Sequence, residues 1–200
     1  AEACVLHIRG GGINLHDWRP AWSVLLGQIV AGAGVCWQGP GVDAWTTEPD
    51  LGYTEIAEPF ITEGKAEAVA KTQAKKLWED SLGVCWFACW GVKDVLPNSA
   101  KAISLATGWA DFDGDEALAV GERLINMQRI IALKRGFTAA DEFDVSDRLL
   151  EAPTEGKAAG KTIKPHLKGM VQDYYGHMGW EETGRPTAAT LEKVGLAGEL

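Results

Sequence analysis

Basic charge is in deficit in this sequence: 19 Lys and Arg stand against 28 Asp and Glu, a net charge of −9. Duplex nucleic acid is held by a basic face, so it is excluded as the main partner. Long apolar runs are missing as well. The longest candidate, Trp22 to Trp37, is broken by Ser23, Gly27, Gln28, Gly32 and Gly34. It falls short of the about 18 residues a membrane helix needs, so no membrane is expected. There is no basic start with an apolar stretch and a small-residue cleavage site, hence no signal peptide and an expected cytoplasmic location. Cysteine is sparse, at positions 4, 36, 85 and 89, with no CxxC pair. That excludes a disulfide scaffold and points to a reducing compartment. The chain also lacks an initiating Met and opens at full apolar content with Ala1-Glu2-Ala3-Cys4-Val5. It reads as a piece of a longer protein that begins inside a domain.

What is present is a globular composition, 46% hydrophobic and 24% charged, which excludes a disordered acidic tail. Tryptophan is in excess, nine against three Tyr and five Phe. So many large rings need a sizeable core, a flat cofactor or an aromatic-lined pocket.

The pattern along the chain is helical. Asp17 and Pro20 predict a capped helix through Trp22, Leu25, Leu26, Ile29 and Val30, apolar nearly all round and therefore buried. Residues 38–60 read as a long loop carrying Tyr53 and, with Trp37 just ahead of it, Trp45; loops of that length are usually functional. Thr62 predicts a cap for a helix to about Asp80. Its apolar stripe is Ala66, Val69, Ala70, Gln73 and Leu77, with Lys65, Glu67, Lys71, Lys75 and Lys76 over the other faces. A short helix follows Pro97. A clear helix starts at Asp113 or Asp115, runs through Leu118, Leu124, Ile125 and Ile130, and ends at Lys134-Arg135-Gly136, acidic at its start and basic at its end. Residues 151–164 are a surface excursion. Pro165 opens a last long helix with Tyr174, and Thr187 caps a short one. The fold class is all-α with long glycine-rich loops.

Two motifs yield to plain readings. Asp111 to Glu116 has acidic calcium-loop character, but Gly114 comes too early for an EF-hand, so a turn and a helix cap are expected. Cys85 and Cys89 are half a zinc site by spacing, with no third ligand nearby. Cys89 reads as a small buried hydrophobe.

Further along, Asp80-Ser81-Leu82-Gly83-Val84-Cys85 resembles the DxxGLC motif of the aldehyde ferredoxin oxidoreductase family, which are tungsten-pterin enzymes. The order of the remaining motifs agrees. Thr107-Gly108-Trp109 is similar to the family's TGW turn. Gly121-Glu122-Arg123, Arg129 and Arg135-Gly136-Phe137 are similar to its GER…R…REGF helix. Tyr174-Tyr175, Gly179-Trp180 and Gly184-Arg185-Pro186-Thr187 are similar to its C-terminal signature.

The resemblance implies the C-terminal helical domains of a chain about three times longer, divided here as 1–95, carrying the cofactor-contacting segments, and 96–200. It implies a tungsten-bis-pterin and a 4Fe-4S cluster. Cys85 becomes the fourth cluster ligand, Asp80 an acceptor for pterin N–H groups, and Val84 a backbone contact. Trp86, Phe87 and Trp90 become a dry shell for the thiolate. The implied activity is oxidation of an aldehyde to a carboxylic acid. Electrons pass to ferredoxin or an iron-sulfur subunit, in a homodimer or a hetero-oligomer.

The segment 31–39 departs from the family's pattern. Cys36 is kept there, as a cofactor contact, but Trp37 stands at the family's histidine and Ala33 and Gly39 at its two basic positions. Trp37 then lines the substrate pocket, with His16 as a replacement proton donor. Two alternatives follow: a tungsten-dependent benzoyl-CoA (aryl-CoA) reductase subunit, or a non-catalytic helical electron-transfer or scaffold module. The 200 residues alone are expected to be inactive.

Overall fold

The computed structural model describes residues 5–13, 16–32, 41–43, 47–89 and 91–200. Among the described residues eight α-helices carry the fold: α1 (Trp22–Val30), α2 (Lys65–Ser81), α3 (Trp86–Cys89), α4 (Val95–Thr107), α5 (Gly114–Lys134), α6 (Asp147–Leu150), α7 (Leu167–His177) and α8 (Ala188–Lys193). The one sheet among the described residues is an antiparallel hairpin, β1 (His7–Ile8) with β2 (Gly11–Gly12), in the register Ile8 to Gly11. Its turn residues Arg9 and Gly10 both have positive φ, 51° and 68°, the twist a two-residue hairpin prefers. The mostly helical expectation holds, with this hairpin added.

Helix α2 is the hub and packs on α5, α7 and α1. Every residue of α1 is buried, as its all-round apolarity requires. The core joins Leu25, Leu26 and Ile29 of α1 to Val69 and Leu77 of α2, Ile125 of α5 and Val171 and Tyr174 of α7. Gln73, on the buried stripe of α2, is satisfied inside it. It donates to the Gly27 carbonyl (3.2 Å) and accepts from the Tyr174 hydroxyl (2.5 Å).

The caps at α5 and α8 are the expected ones. Asp113 accepts from the Asp115 and Glu116 amides, and Thr187 from that of Thr190, so the acidic run 111–116 is a turn and a cap. Two other caps differ. Asp17 pairs with Arg19 at 2.7 Å instead of capping α1. The free Ser23 amide of α1 donates to Asp43 (2.7 Å), and the Ser23 hydroxyl does the same (2.6 Å). Helix α2 begins after Gly64, with Thr62 contributing only its carbonyl. Helix α4 starts at Val95, ahead of Pro97, because Asp50 accepts from the Asp94 and Leu96 amides at 2.7 and 2.9 Å. The described part of the long loop therefore acts as a set of acidic clamps on helix ends, a role its composition did not reveal.

The lysines of α2 are a further correction. Lys65, Lys75 and Lys76 are 1%, 4% and 5% exposed, not a solvated face. The loop brings counter-charges to two of them: Asp43 meets Lys65 at 2.9 Å and Glu48 meets Lys75 at 3.0 Å. Helical periodicity assigns faces but not what lies over them.

A second buried polar knot ties the C-terminal half. The Arg129 guanidinium donates to the Gly184 carbonyl (2.7 Å), to Glu142 (2.7 Å) and to the Tyr175 hydroxyl (3.0 Å). It stacks 4.6 Å from the Phe137 ring and 4.7 Å from Trp180. Arg9 reaches the other oxygen of Glu142 (3.0 Å) and the Ile29 carbonyl at the end of α1 (2.8 Å). Trp180 donates to Asn126 (2.9 Å). These are the residues of the family-like helix and C-terminal motifs, and here they are structural.

Candidate functional site

The site is built on the last turn of α2. Asp80 is the penultimate residue of that helix, and its side chain is 41% exposed. The chain then reverses sharply. The Leu82 amide donates to the Glu79 carbonyl and the Gly83 amide to that of Asp80 (3.0 Å). Gly83 takes φ 70°, the left-handed geometry that stops a helix. Val84 and Cys85 follow and lead into α3, where the Cys85 carbonyl accepts from the Ala88 amide (2.8 Å). Val84 is 39% exposed and the Cys85 thiol is free and exposed. One reversal of the chain thus carries a partly exposed, acceptor-only carboxylate, a partly exposed valine and an exposed thiol within six residues.

Cys89 does not join them. It is 6% exposed, and burial, followed by the negative charge of Glu79, pushes its thiol up. It behaves as the small hydrophobe its context suggested. Of the expected shell, Trp86 is buried and Phe87 is 66% exposed, with their rings 5.4 Å apart. Trp90 lies outside the described residues, as do Cys36, Trp37 and Trp45. His16 is exposed on the loop before α1, its ring 5.1 Å from that of Trp18.

Behind the turn lies a cluster that sequence reasoning missed. Lys75 bridges Glu48 (3.0 Å) and Glu79 (2.7 Å), all three buried. Lys76 pairs with Asp80. The only signal in the sequence was the doublet Lys75-Lys76 set four residues before Glu79-Asp80. Glu79 also lines a cavity of about 360 Å³ with Leu82, Val84, Cys89, Asn98 and Ser99. Its Oε2 atom is buried with no partner among the described residues.

Burial is the main force on both acids and pushes Glu48 and Glu79 up, against the pull of Lys75. Burial also pulls Lys75 down, but the charges of Glu48 and Glu79 outweigh it and hold the ammonium above its ordinary value. One ammonium serves two carboxylates, so ionising both is unfavourable. A carboxyl held up by the fold keeps its full stability below the ordinary value of 4.5 and loses it as pH rises through the raised one. Glu79→Gln removes one of the two ionisations. The thermal midpoint of this variant, followed from about pH 4 to about pH 8, is expected to fall less steeply than that of the wild type. Parallel curves would contradict the shared-ammonium picture.

The donor set fits the groups the resemblance implies. A half-exposed carboxylate accepts from N–H donors such as those on a pterin edge. An exposed thiol at a helix start can become a thiolate ligand to iron. Among the described residues no group of three or more His, Cys, Asp and Glu is placed to hold a metal ion. Nor is any described helix long and apolar enough to cross a membrane.

The chain is similar to known proteins over most of its length. The chain is 32% identical over 149 residues to the tungsten-containing aldehyde ferredoxin oxidoreductase of Pyrococcus furiosus, covering 74% of this chain and 24% of that one. It is 33% identical over 148 residues to the Pyrococcus abyssi protein of the same name, covering 73% and 24%. The chain thus spans about a quarter of the length of these relatives. Its fold is similar to the active-site complex BamBC of benzoyl coenzyme A reductase, solved with 1,5-dienoyl-CoA. The TM-score is 0.66 at 16% identity, covering 88% of this chain and 30% of that one. The family profile for aldehyde ferredoxin oxidoreductase, domains 2 and 3, matches residues 1–196, and the chain belongs to that family.

Proposed function

We propose that this chain forms the C-terminal helical part of a tungstopterin oxidoreductase, in which Asp80 binds the pterin and Cys85 binds a 4Fe-4S cluster. The observation that supports the reading is the single reversal at 80–85, which carries a partly exposed carboxylate, a partly exposed Val84 and an exposed thiol within six residues. When bound, the tungsten-pterin supplies two-electron redox chemistry at the substrate carbon, and the cluster supplies one-electron transfer. Asp80 accepts pterin N–H bonds and so orients the ring system. Val84 gives the backbone approach. Cys85 gives the sulfur, and buried Trp86 beside it excludes water from one flank.

The balanced reaction is aldehyde plus water to carboxylic acid, releasing two protons and two electrons, with ferredoxin as the electron acceptor. A second reading keeps the cofactors and changes the substrate to an aryl-CoA thioester, whose ring is reduced. Two observations favour it. Trp37 stands where the family has histidine, and the fold is similar to a complex that holds a dienoyl-CoA. Turnover of small aliphatic aldehydes set against turnover of benzoyl-CoA by the full-length enzyme separates the two.

Cys85→Ser in the full-length enzyme tests the cluster assignment. The expected result is a cluster lacking its fourth thiolate, seen as lower iron content, a changed low-temperature EPR spectrum and slowed electron transfer. Unchanged iron content and spectrum would show that Cys85 is not a ligand.

A further inference from the structure

Asp80 stands where a helix least favours a carboxylate. The carbonyl end of a helix carries partial negative charge, and acidic side chains stabilise the opposite end. Helix α2 runs 17 residues and ends in Glu79 and Asp80, with no basic residue in its last turn. Two acidic side chains therefore sit at its negative pole. A carboxylate kept there needs an offsetting charge, and the offset is sorted by residue. Lys75 goes to Glu79, on the buried side, and to Glu48. Lys76 goes to Asp80, and among the described residues this is its one ion-pair partner.

The Lys76–Asp80 pair is lopsided. The lysine side chain is 6% exposed and the aspartate 41%. The lysine is buried, while the carboxylate it pairs with is partly exposed. Lys76 donates to one carboxylate oxygen, Oδ1, of a side chain that is otherwise partly exposed. A lysine buried so fully does not serve as an ordinary surface pair, because desolvation costs more than a surface pair returns.

We infer that Lys76 is a positioning residue for pterin binding: from beneath the turn it fixes the Asp80 carboxylate at the adverse end of α2 so that the outer edge meets the pterin N–H donors. This rests on the pterin reading of Asp80 given above.

The test uses the full-length, tungsten-loaded enzyme and reads pterin and tungsten per protein, with circular dichroism as the check on folding. Lys76→Met suits the buried stem and is expected to keep the helical spectrum while lowering pterin and tungsten content at least fivefold. Lys76→Arg, which keeps the charge, is expected to retain more than half of the wild-type content. Asp80→Asn keeps one acceptor oxygen and is expected to hold an intermediate content. Adding Lys76→Met to it is expected to cause no further loss, because Lys76 acts through the carboxylate. Wild-type content in Lys76→Met overturns the inference. So does a loss of the same fold in the Asp80→Asn background, which would mark a merely structural lysine. Should Lys76→Met lose its helical spectrum, Lys76→Arg decides: content below one fifth of wild type in a folded protein overturns the inference as well. Wild-type content in Asp80→Ala overturns instead the pterin reading on which the inference rests.

Discussion

Replacing Arg129 by methionine is expected to destabilise the protein by about 3–5 kcal/mol, the cost of leaving one member of a buried ion pair alone. Glu142 is fully buried; its Oε1 accepts from Arg129 and Tyr175 and its Oε2 from Arg9. Without Arg129 its Oε1 keeps only the tyrosine. The Gly184 carbonyl loses its donor, and the rings of Phe137 and Trp180 lose the cation between them. Lysine is no remedy, since a point charge cannot reproduce three divergent contacts of a planar fork. Arg129→Lys is therefore expected to lose most of what methionine loses. In urea unfolding the midpoint should drop with an unchanged slope. A methionine variant within about 1 kcal/mol of the wild type would mean the knot adds specificity rather than stability. The neighbouring glycine belongs to the same unit. A Cβ at Gly184 would sit 1.9 Å from Arg129 Nη2, on a backbone already at φ 72°.

That knot also shows where the sequence was legible and where it was not. Local signals survived intact. The acidic start of α5 is capped by Asp113, Thr187 caps α8, and the all-apolar α1 is wholly buried. Each needs only a few adjacent residues. The non-local pairings were not readable. Arg9 and Glu142 are 133 positions apart, and Tyr174 and Gln73 are 101 apart. No spacing rule connects them. The lysines of α2 failed differently. Their faces were right, but the acids that meet Lys65 and Lys75 arrive from the loop around 43–50, and a loop without periodicity does not announce its course.

The site divides along the same line. Asp80, Val84 and Cys85 are adjacent in sequence, so the short motif that suggested them also placed them on one turn. Lys76 and Glu79 belong to the same few turns of helix yet carry no motif of their own. They emerge only once burial shows that one lysine serves two acids and the other serves one. The family-like motifs separate in kind as a result. The 80–85 motif leaves a carboxylate, a valine and a thiol partly or fully exposed. The motifs around Arg129, Tyr175 and Trp180 face inward and satisfy one another.

Gly121, the first residue of the family-like GER run, belongs to the inward class and carries the second large effect. A Cβ there would lie 1.9 Å from the Ala74 carbonyl oxygen and 2.6 Å from its carbon, both backbone atoms of α2. No side chain can rotate away, so α2 and α5 must separate. Overpacking costs about 1–3 kcal/mol where side chains can adjust, and more where they cannot. Gly121→Ala is expected at or above about 3 kcal/mol, and Gly121→Val higher still. Gly169, inside α7, has nothing within 4 Å of its Cβ position. There the same change to alanine is expected to stabilise by about 0.5–1 kcal/mol, through helix propensity and a less flexible unfolded chain. One substitution thus has opposite signs at two helical glycines, and equal effects would refute the close approach. The consequence reaches the site. Asp80 is six residues beyond Ala74, about 9 Å further along the same rigid helix. A shift of α2 away from α5 carries Lys76, Asp80 and the turn to Cys85 with it. Gly121→Ala in the full-length enzyme is accordingly expected to lower pterin content together with stability, whereas Arg129→Met should lower stability first.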